Sequence, residues 1–472
     1  HGIDTVVAYI FLLMLPVILG AQATKLKLLG HWRDPALKGS AQYDNTFNEA
    51  YGFVANGHEY GIIGSTYGTH IIDVTDPEHP FERMRIPGGT SGTEVIHRDF
   101  RYYKCHIYGV CDEGGTSTLQ IIDVSRLPDT AILVYNKNDL FTRVHNIFID
   151  EAKARLYTSA EKGVTGYYAL GLYDIREPEN PRFVGHYGVF GNITANHVHD
   201  CFVRNDTAYL NCGYDGMAIM DFADANNPKP LFTLKPNEYN YSGYNHSGWL
   251  TPDGKTYVMA DETHGSPLKV FDLTDFAHPK VVSYLSVYGD SAKAIPHNPL
   301  VSCQYAYVAY YYDGLQVYDI SNSRSPQLKY YYPTSTAVND LGYKGAWGTY
   351  PFLPSGNIIV ADMQSGMFIV EGPEKVCNPA NICSATSTTF FNDQASLQLT
   401  PNPARDQVRI HSEKIISKLI LITADGRVKY PALQPAYDLL LDLSDLFPGF
   451  YVMDVHYSDG AREQKKLIIA ND

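Results

Sequence analysis

The chain reads as all-β: a seven-bladed β-propeller closed by its N-terminal strand, then a small C-terminal β-sandwich. Three observations predict this. A strand ending in an acidic residue recurs seven times, at spacings of 50, 51, 47, 51, 47 and 52 residues. Each recurrence carries about four strand-sized apolar runs parted by Pro-, Gly- and Asp-rich turns. The 472 residues include 37 Tyr and 38 Gly and few helix-favouring runs.

Residues 1–23 read as a secretory signal peptide. An apolar run from Val6 to Gly20 precedes Ala21-Gln22-Ala23, a small-residue cleavage pattern. The alternative is a membrane anchor, for which the run is shorter than the ~20 residues a span needs. No other segment is long and apolar enough, so no transmembrane span is expected in the mature chain.

Residues 24–373 hold the repeats. The anchors are Asp73, Asp123, Asp174, Asp221, Asp272 and Asp319, with Glu371 in the seventh unit. Each ends an apolar strand and opens a polar turn, often with Pro, as in "HIIDVTDPEHP" and "LGLYDIREPENP". The fifth unit shows the pattern well: "HSGWLTP", a Pro-Asp-Gly turn at 252–254, "KTYVMADE", "PLKVFDLT" and "PKVVSYLSV". One four-stranded blade cannot cover both its faces, so such units come as a set. The opening "LKLLGHWRDP" resembles the strand that follows each turn, and the seventh unit lacks one. The segment from about Lys25 to Trp32 is therefore expected to complete that unit and remove an open sheet edge.

Residues 374–395 read as a Cys-, Thr- and Asn-rich linker. Residues 396–472 read as several short strands with Asp-Gly turns at 425–426 and 459–460, which suggests a β-sandwich. Among the seven cysteines, local spacing suggests Cys201–Cys212, Cys105–Cys111 and Cys377–Cys383, leaving Cys303 over. Cysteines in this number fit an exported protein.

Net charge is −14, and Lys and Arg are scattered, so nothing marks a nucleic-acid surface. "GWLTPDGKT" has five residues between Gly248 and Gly254, one more than a P-loop allows, and lies on a hairpin. No GxSxG, HExxH, EF-hand or GxGxxG pattern occurs, which removes serine hydrolase, zincin and Rossmann readings.

Two resemblances follow. Residues from about 25 to 372 resemble the choice-of-anchor B propellers built from LVIVD-type repeats, through "VHNIFID", "NHVHDCF", "YNHSGWLTPDGKTYVMADE" and "GYKGAWGTYPFLPSGNIIVADMQSGMFIV". That resemblance implies export and no settled activity. The tail is similar to the sorting domain of type IX secretion cargo in the Bacteroidetes, through "PNPARDQVRI", "ITADGRV", "LDLSDLFPGFYVMDV" and "KKLIIA". It implies passage through the type IX secretion machinery, followed by release or surface attachment.

Upstream of each hairpin lies a polar residue: His97, His145, His197 with His199, His246 and His297. Unit one has Asn48-Glu49 there, and unit seven Trp347. The first strand of each blade lines the central channel, so these residues are expected to ring the axis. Neutral imidazoles brought together in this way suit one divalent transition metal. The expected ligands are His145, His199, His246 and His297; His97 and His197 are weaker candidates. Asp99, Asn146, His197, Asp200, Asn298 and Trp347 are expected to line the channel or orient the rings. The alternative is a polar channel satisfied by its own hydrogen bonds and by water. Glu161 and Asp261-Glu262 read as solvated turn carboxylates, with a channel mouth as the other possibility.

The expected function is a secreted or surface propeller binding an extracellular glycan or protein, with a metal in its channel. The alternative is a metal-assisted extracellular enzyme, such as a polysaccharide lyase or an oxidase, that uses the channel histidines.

Overall fold

The computed structural model describes residues 22–287, 292–373, 379–384, 397–423, 428–429, 431–458 and 462–470. The signal-peptide run, Cys377 and both Asp-Gly turns of the tail lie outside them. Two compact units divide the chain, His1–Thr386 and Ser387–Asp472. No helix among the described residues is long and apolar enough to cross a membrane.

The first unit is a β-propeller. Among the described residues it contains seven sheets of four or five strands, in which strands consecutive in sequence pair antiparallel. In the sheet that contains Asn245–Leu250, the order runs on through Thr256–Asp261 and Leu268–Asp272 to Lys280–Leu285. Burial explains the composition of each strand. Inner strands such as Asn146–Asp150 and Ala346–Tyr350 are buried throughout, whereas the outermost, such as Phe81–Pro87, alternate exposed and covered. The inner strands pack side by side in chain order, and Ala346–Tyr350 returns to lie beside Phe47–Ala55.

The recurring aspartates have a local cause. Asp73, Asp123, Asp174, Asp221, Asp272 and Asp319 each accept, through Oδ1, the amide of the residue two positions on, at 2.8–3.0 Å. This is an Asx turn that ends the third strand and starts the connection to the fourth. The register slips one or two residues before most of these anchors, as between Ile71 and Ile72 and between Val317 and Tyr318. A bulge there strengthens the twist of each sheet.

Leu28–Trp32 pairs antiparallel with Gly366–Val370, so the N-terminal strand does complete the seventh unit's sheet. Gly30 is required at this point, because a Cβ there would run into the Pro77 carbonyl oxygen. Thr24–Lys25 instead adds a parallel strand to Gln327–Tyr332, in the preceding sheet. Ile382–Cys383, within the stretch read as linker, pairs parallel with the end of Phe47–Ala55.

The cysteine expectations fail. Cys105 is bonded to Cys383, 278 residues away, rather than to Cys111. Cys303 is also disulfide-bonded, and Cys111, Cys201 and Cys212 are free and buried. Cys201 faces Leu210 on the neighbouring strand, and Cys212 lies just past that strand's end.

In the second unit the long strand Gln407–Thr423 organises the sheet. It pairs with Leu397–Thr400 and Ala436–Asp442 along its first part, and with Gly449–Tyr457 along its second. Leu419, Leu421, Met453, Val455 and Leu467 form its buried core.

Candidate functional site

Backbone pairing at the head of each inner strand sets the histidines. The amides of His145, His199 and His297 bond to the carbonyls of Ser159, Asn211 and Ala309, each on the second strand of its own sheet. His246 and Trp347 sit where the register slips, between Asn245 and Ser247 and between Ala346 and Gly348. A bulge at such a point re-aims the side chain.

The rings then form a closed circuit. Centroids lie 4.8 Å apart from His97 to His145, 4.1 Å on to His199, 3.9 Å to His246 and 4.4 Å to His297. Trp347 follows at 4.9 Å and returns to His97 at 5.2 Å. The first repeat contributes no ring. Its Asn48 donates to the Ile96 carbonyl at 3.0 Å and leaves Oδ1 buried without a partner.

Fixed acceptors decide the tautomers. His199 Nδ1–H donates to the His246 carbonyl at 3.2 Å, and His297 Nδ1–H to the Trp347 carbonyl. A carbonyl only accepts, so these Nδ1 atoms carry the proton and Nε2 keeps its lone pair. His145 Nδ1 is held by Asp112 at 2.8 Å and His97 Nδ1 by Glu113. His246 Nδ1 is buried with no hydrogen-bond partner among the described residues, and its Nε2 lies 3.7 Å from Glu262. Glu262 also accepts from the Tyr311 hydroxyl at 2.5 Å.

The electrostatics keep most of these rings neutral. Burial, reinforced by neighbouring imidazoles, lowers His199 and His246 well below the ordinary range. Burial takes His297 down to about 3 and His197 to about 4. His97 goes the other way: burial opposes its charge, but Glu113 and Asp112 outweigh it and raise the pKa. Burial lifts Glu262 to about 7, against the Tyr311 hydrogen bond.

Around the rings, two sets of possible ligand atoms lie within 4.8 Å of one another: His199, His246 and Glu262, and His97, Asp112 and His145. The four expected ligands therefore stand in one circuit, but the tight groups split them and recruit carboxylates. His97, the weaker candidate, belongs to the circuit as fully as the others. His197 stands beside it, 6.3 Å from His145, bonded to the Tyr244 hydroxyl at 2.7 Å.

Asp99, Asn146, Asp200 and Asn298 do not orient the rings. Asp99 accepts from Arg101 at 2.9 Å and from the Ile147 amide at 2.8 Å. Asp200 accepts from the Cys201 amide at 2.6 Å, and Asn298 donates to Glu49 at 2.9 Å. Asn146, Asp200 and Asn298 sit one residue along their strands from the ring positions and Asp99 two, and together they form the next layer down the axis. A cavity of about 20 Å³ lies between, lined by Glu49, Asp99, Asn146, Asn298 and the rings. That is room for about one water-sized occupant.

Asp112, Glu113 and Glu262 were missed as partners of the rings. All three directly follow a second strand, and that shared register was the available signal. The solvated-turn reading of the acids is wrong. Asp261 is fully buried against Lys269 at 2.5 Å. Glu161 is buried and accepts from Thr158 and Tyr173 and pairs with His186.

Comparison with known proteins adds one family and a general likeness. An LVIVD repeat model matches residues 300–334. The first unit is a repeat β-propeller. The crystal structure of the RRP9 WD40 repeats is similar at a TM-score of 0.48 and 10% identity, covering 74% of this chain and 99% of its own. A protein from Lactobacillus plantarum is similar at 0.48 and 11%, covering 86% and 98%. No curated protein matches.

Proposed function

We propose that the first unit is a seven-bladed propeller that holds one divalent transition metal on its axis and binds an extracellular glycan or protein. His199, His246 and Glu262 are the central ligands, flanked by His145 and His297. The observation that carries this reading is the circuit of imidazoles, with Nδ1 engaged on His145, His199 and His297 and Nε2 left over. Metal-binding histidines are oriented in this way, one nitrogen on an acceptor and the other on the ion. Mixed imidazole and carboxylate donors suit zinc, manganese, iron or cobalt. The C-terminal unit, a β-sandwich in this reading, is the export address for type IX secretion, and the mature protein is secreted or held at the outer surface.

Metal analysis of the purified full chain tests the central claim. About one transition-metal ion per folded chain is expected, lost in His199→Ala and His246→Ala and kept in His197→Ala. A folded chain without metal would overturn it. A metal-assisted enzyme is the second reading, favoured by the Tyr311–Glu262 and Tyr244–His197 pairs beside the rings. Both supply a hydroxyl next to a candidate base. Unsaturated-product absorbance on uronate polysaccharides checks it.

A further inference from the structure

Below the layer of Glu49 and Asn298, the channel opens into a second, larger cavity of about 310 Å³. Its size is within the range of small-ligand sites. A belt of planar groups surrounds it. From Tyr51 the belt runs to Tyr350 at 5.1 Å, Phe352 at 5.4 Å and Trp249 at 5.9 Å. Trp249 meets Phe202 at 4.9 Å and Phe148 at 5.9 Å. Arg101 closes the belt, with its guanidinium carbon 5.4 Å from the Phe148 ring and 5.6 Å from Tyr51.

Polar groups at the inner end are only partly engaged. Arg101 spends Nη1 on Asp99 and on the Phe100 carbonyl, at 2.9 and 2.7 Å. Its Nε is buried with no partner, and Nη2 donates to nothing among the described residues. Asp200 uses Oδ1 on the Cys201 amide, and its other oxygen accepts nothing among the described residues. Glu151, Arg204 and Asn381 also line the cavity. A spare donor and a spare carboxyl oxygen thus line one apolar cavity. An occupant that satisfies both presents groups that donate and accept. Hydroxyls do this whether or not Asp200 carries a proton. An occupant that also fits the belt is a ring with apolar faces and polar edges. A pyranose has that form: C–H faces for Trp249, Tyr51 and Phe352, and hydroxyls around its rim.

We propose that this cavity is a carbohydrate-binding site that admits a neutral sugar ring into the aromatic belt, with its hydroxyls bonded to Arg101 and Asp200. The inference rests on reading the chain as a ligand-binding propeller and names the ligand class; it does not depend on a metal at the histidines.

The test is calorimetric titration of the full chain with the methyl glycosides of glucose, galactose, mannose, xylose and N-acetylglucosamine, with benzoate and benzylamine as charged planar controls. At least one glycoside is expected to bind. Arg101→Lys, which keeps the charge but changes the donor geometry, and Trp249→Leu, which removes a stacking face, are each expected to weaken it by about tenfold or more. Binding of no glycoside, preference for either control, or full affinity in both variants overturns the proposal. Metal content, measured on the same samples, is expected to stay at the unaltered level in both variants. Loss of the sugar site alone therefore leaves the metal reading standing, and the reverse also holds.

Discussion

Glu49 shows how much one buried carboxyl controls at the residue scale. It accepts from its neighbour's amide and from Asn298, and it faces Asp99 and Arg101 on one inner strand and Asp200 on another. Burial first, then Asp99, pushes its pKa up to about 8, with Arg101 opposing. An acid whose pKa is raised on folding contributes stability fully present below its unfolded value, ordinarily about 4.5, and lost as pH rises through the folded value. The melting temperature is therefore expected to fall between pH 5 and 9, and Glu49→Gln is expected to flatten that slope. A slope unchanged in the variant would assign the loss to another group. Glu262→Gln is the companion test at the rings. It keeps the shape and the Tyr311 contact but removes the charge, and metal affinity is expected to drop by about tenfold or more. The sequence showed the histidines because five units repeat one residue type at one place. It marked Asp112, Glu113 and Glu262 only by their shared place after a second strand, because the residue type there varies from unit to unit.

At the scale of the element, the propeller was legible because its punctuation is local. An Asx turn needs only an aspartate and the amide two residues on, so the same letter returns wherever a third strand ends. Asp221 is the cleanest case, since its recorded hydrogen bond is the one to the Ala223 amide, at 2.8 Å. Asp221→Ala is expected to cost about 1 kcal/mol, the usual worth of one such bond. Asp221→Asn, which keeps the acceptor, is expected to cost much less. Denaturant midpoints of both variants check this, and faster amide exchange confined to residues 221–227 of the alanine variant is the local signature. Equal losses in the two would mean that the charge, not the turn, matters. The channel layers were only half legible for the complementary reason. Residues adjacent on a strand face different levels of the axis, so Asp200 lies next to a ring histidine in sequence yet lines the larger cavity, and Asn298 lines both.

Closure is a property of the whole molecule, and it uses two ties of different visibility. The strand Leu28–Trp32 was readable, because the unit at one end lacked what the other end supplied in excess. The Cys105–Cys383 bond was not, because spacing favours near neighbours while the chain joins residues 278 apart. It fixes the segment that pairs with Phe47–Ala55 to the neighbouring sheet, next to the mouth of the aromatic cavity, where Asn381 bonds Gly52 and Tyr350. Cross-linking so long a loop removes much of the unfolded chain's freedom, worth roughly 5 kcal/mol on a chain-entropy estimate. Cys105→Ser is therefore expected to lower the denaturant midpoint strongly while keeping a single cooperative transition. Removing residues through Trp32 attacks the other tie. It bares the edge of Gly366–Val370 and takes away the strand that joins the first and last units. Loss of cooperativity, seen as a broadened or split melt, is expected there and not in the cysteine variant. If instead the truncated chain melts as sharply as the full one, the ring is held by the packing of its inner strands alone, and the N-terminal strand only covers an edge.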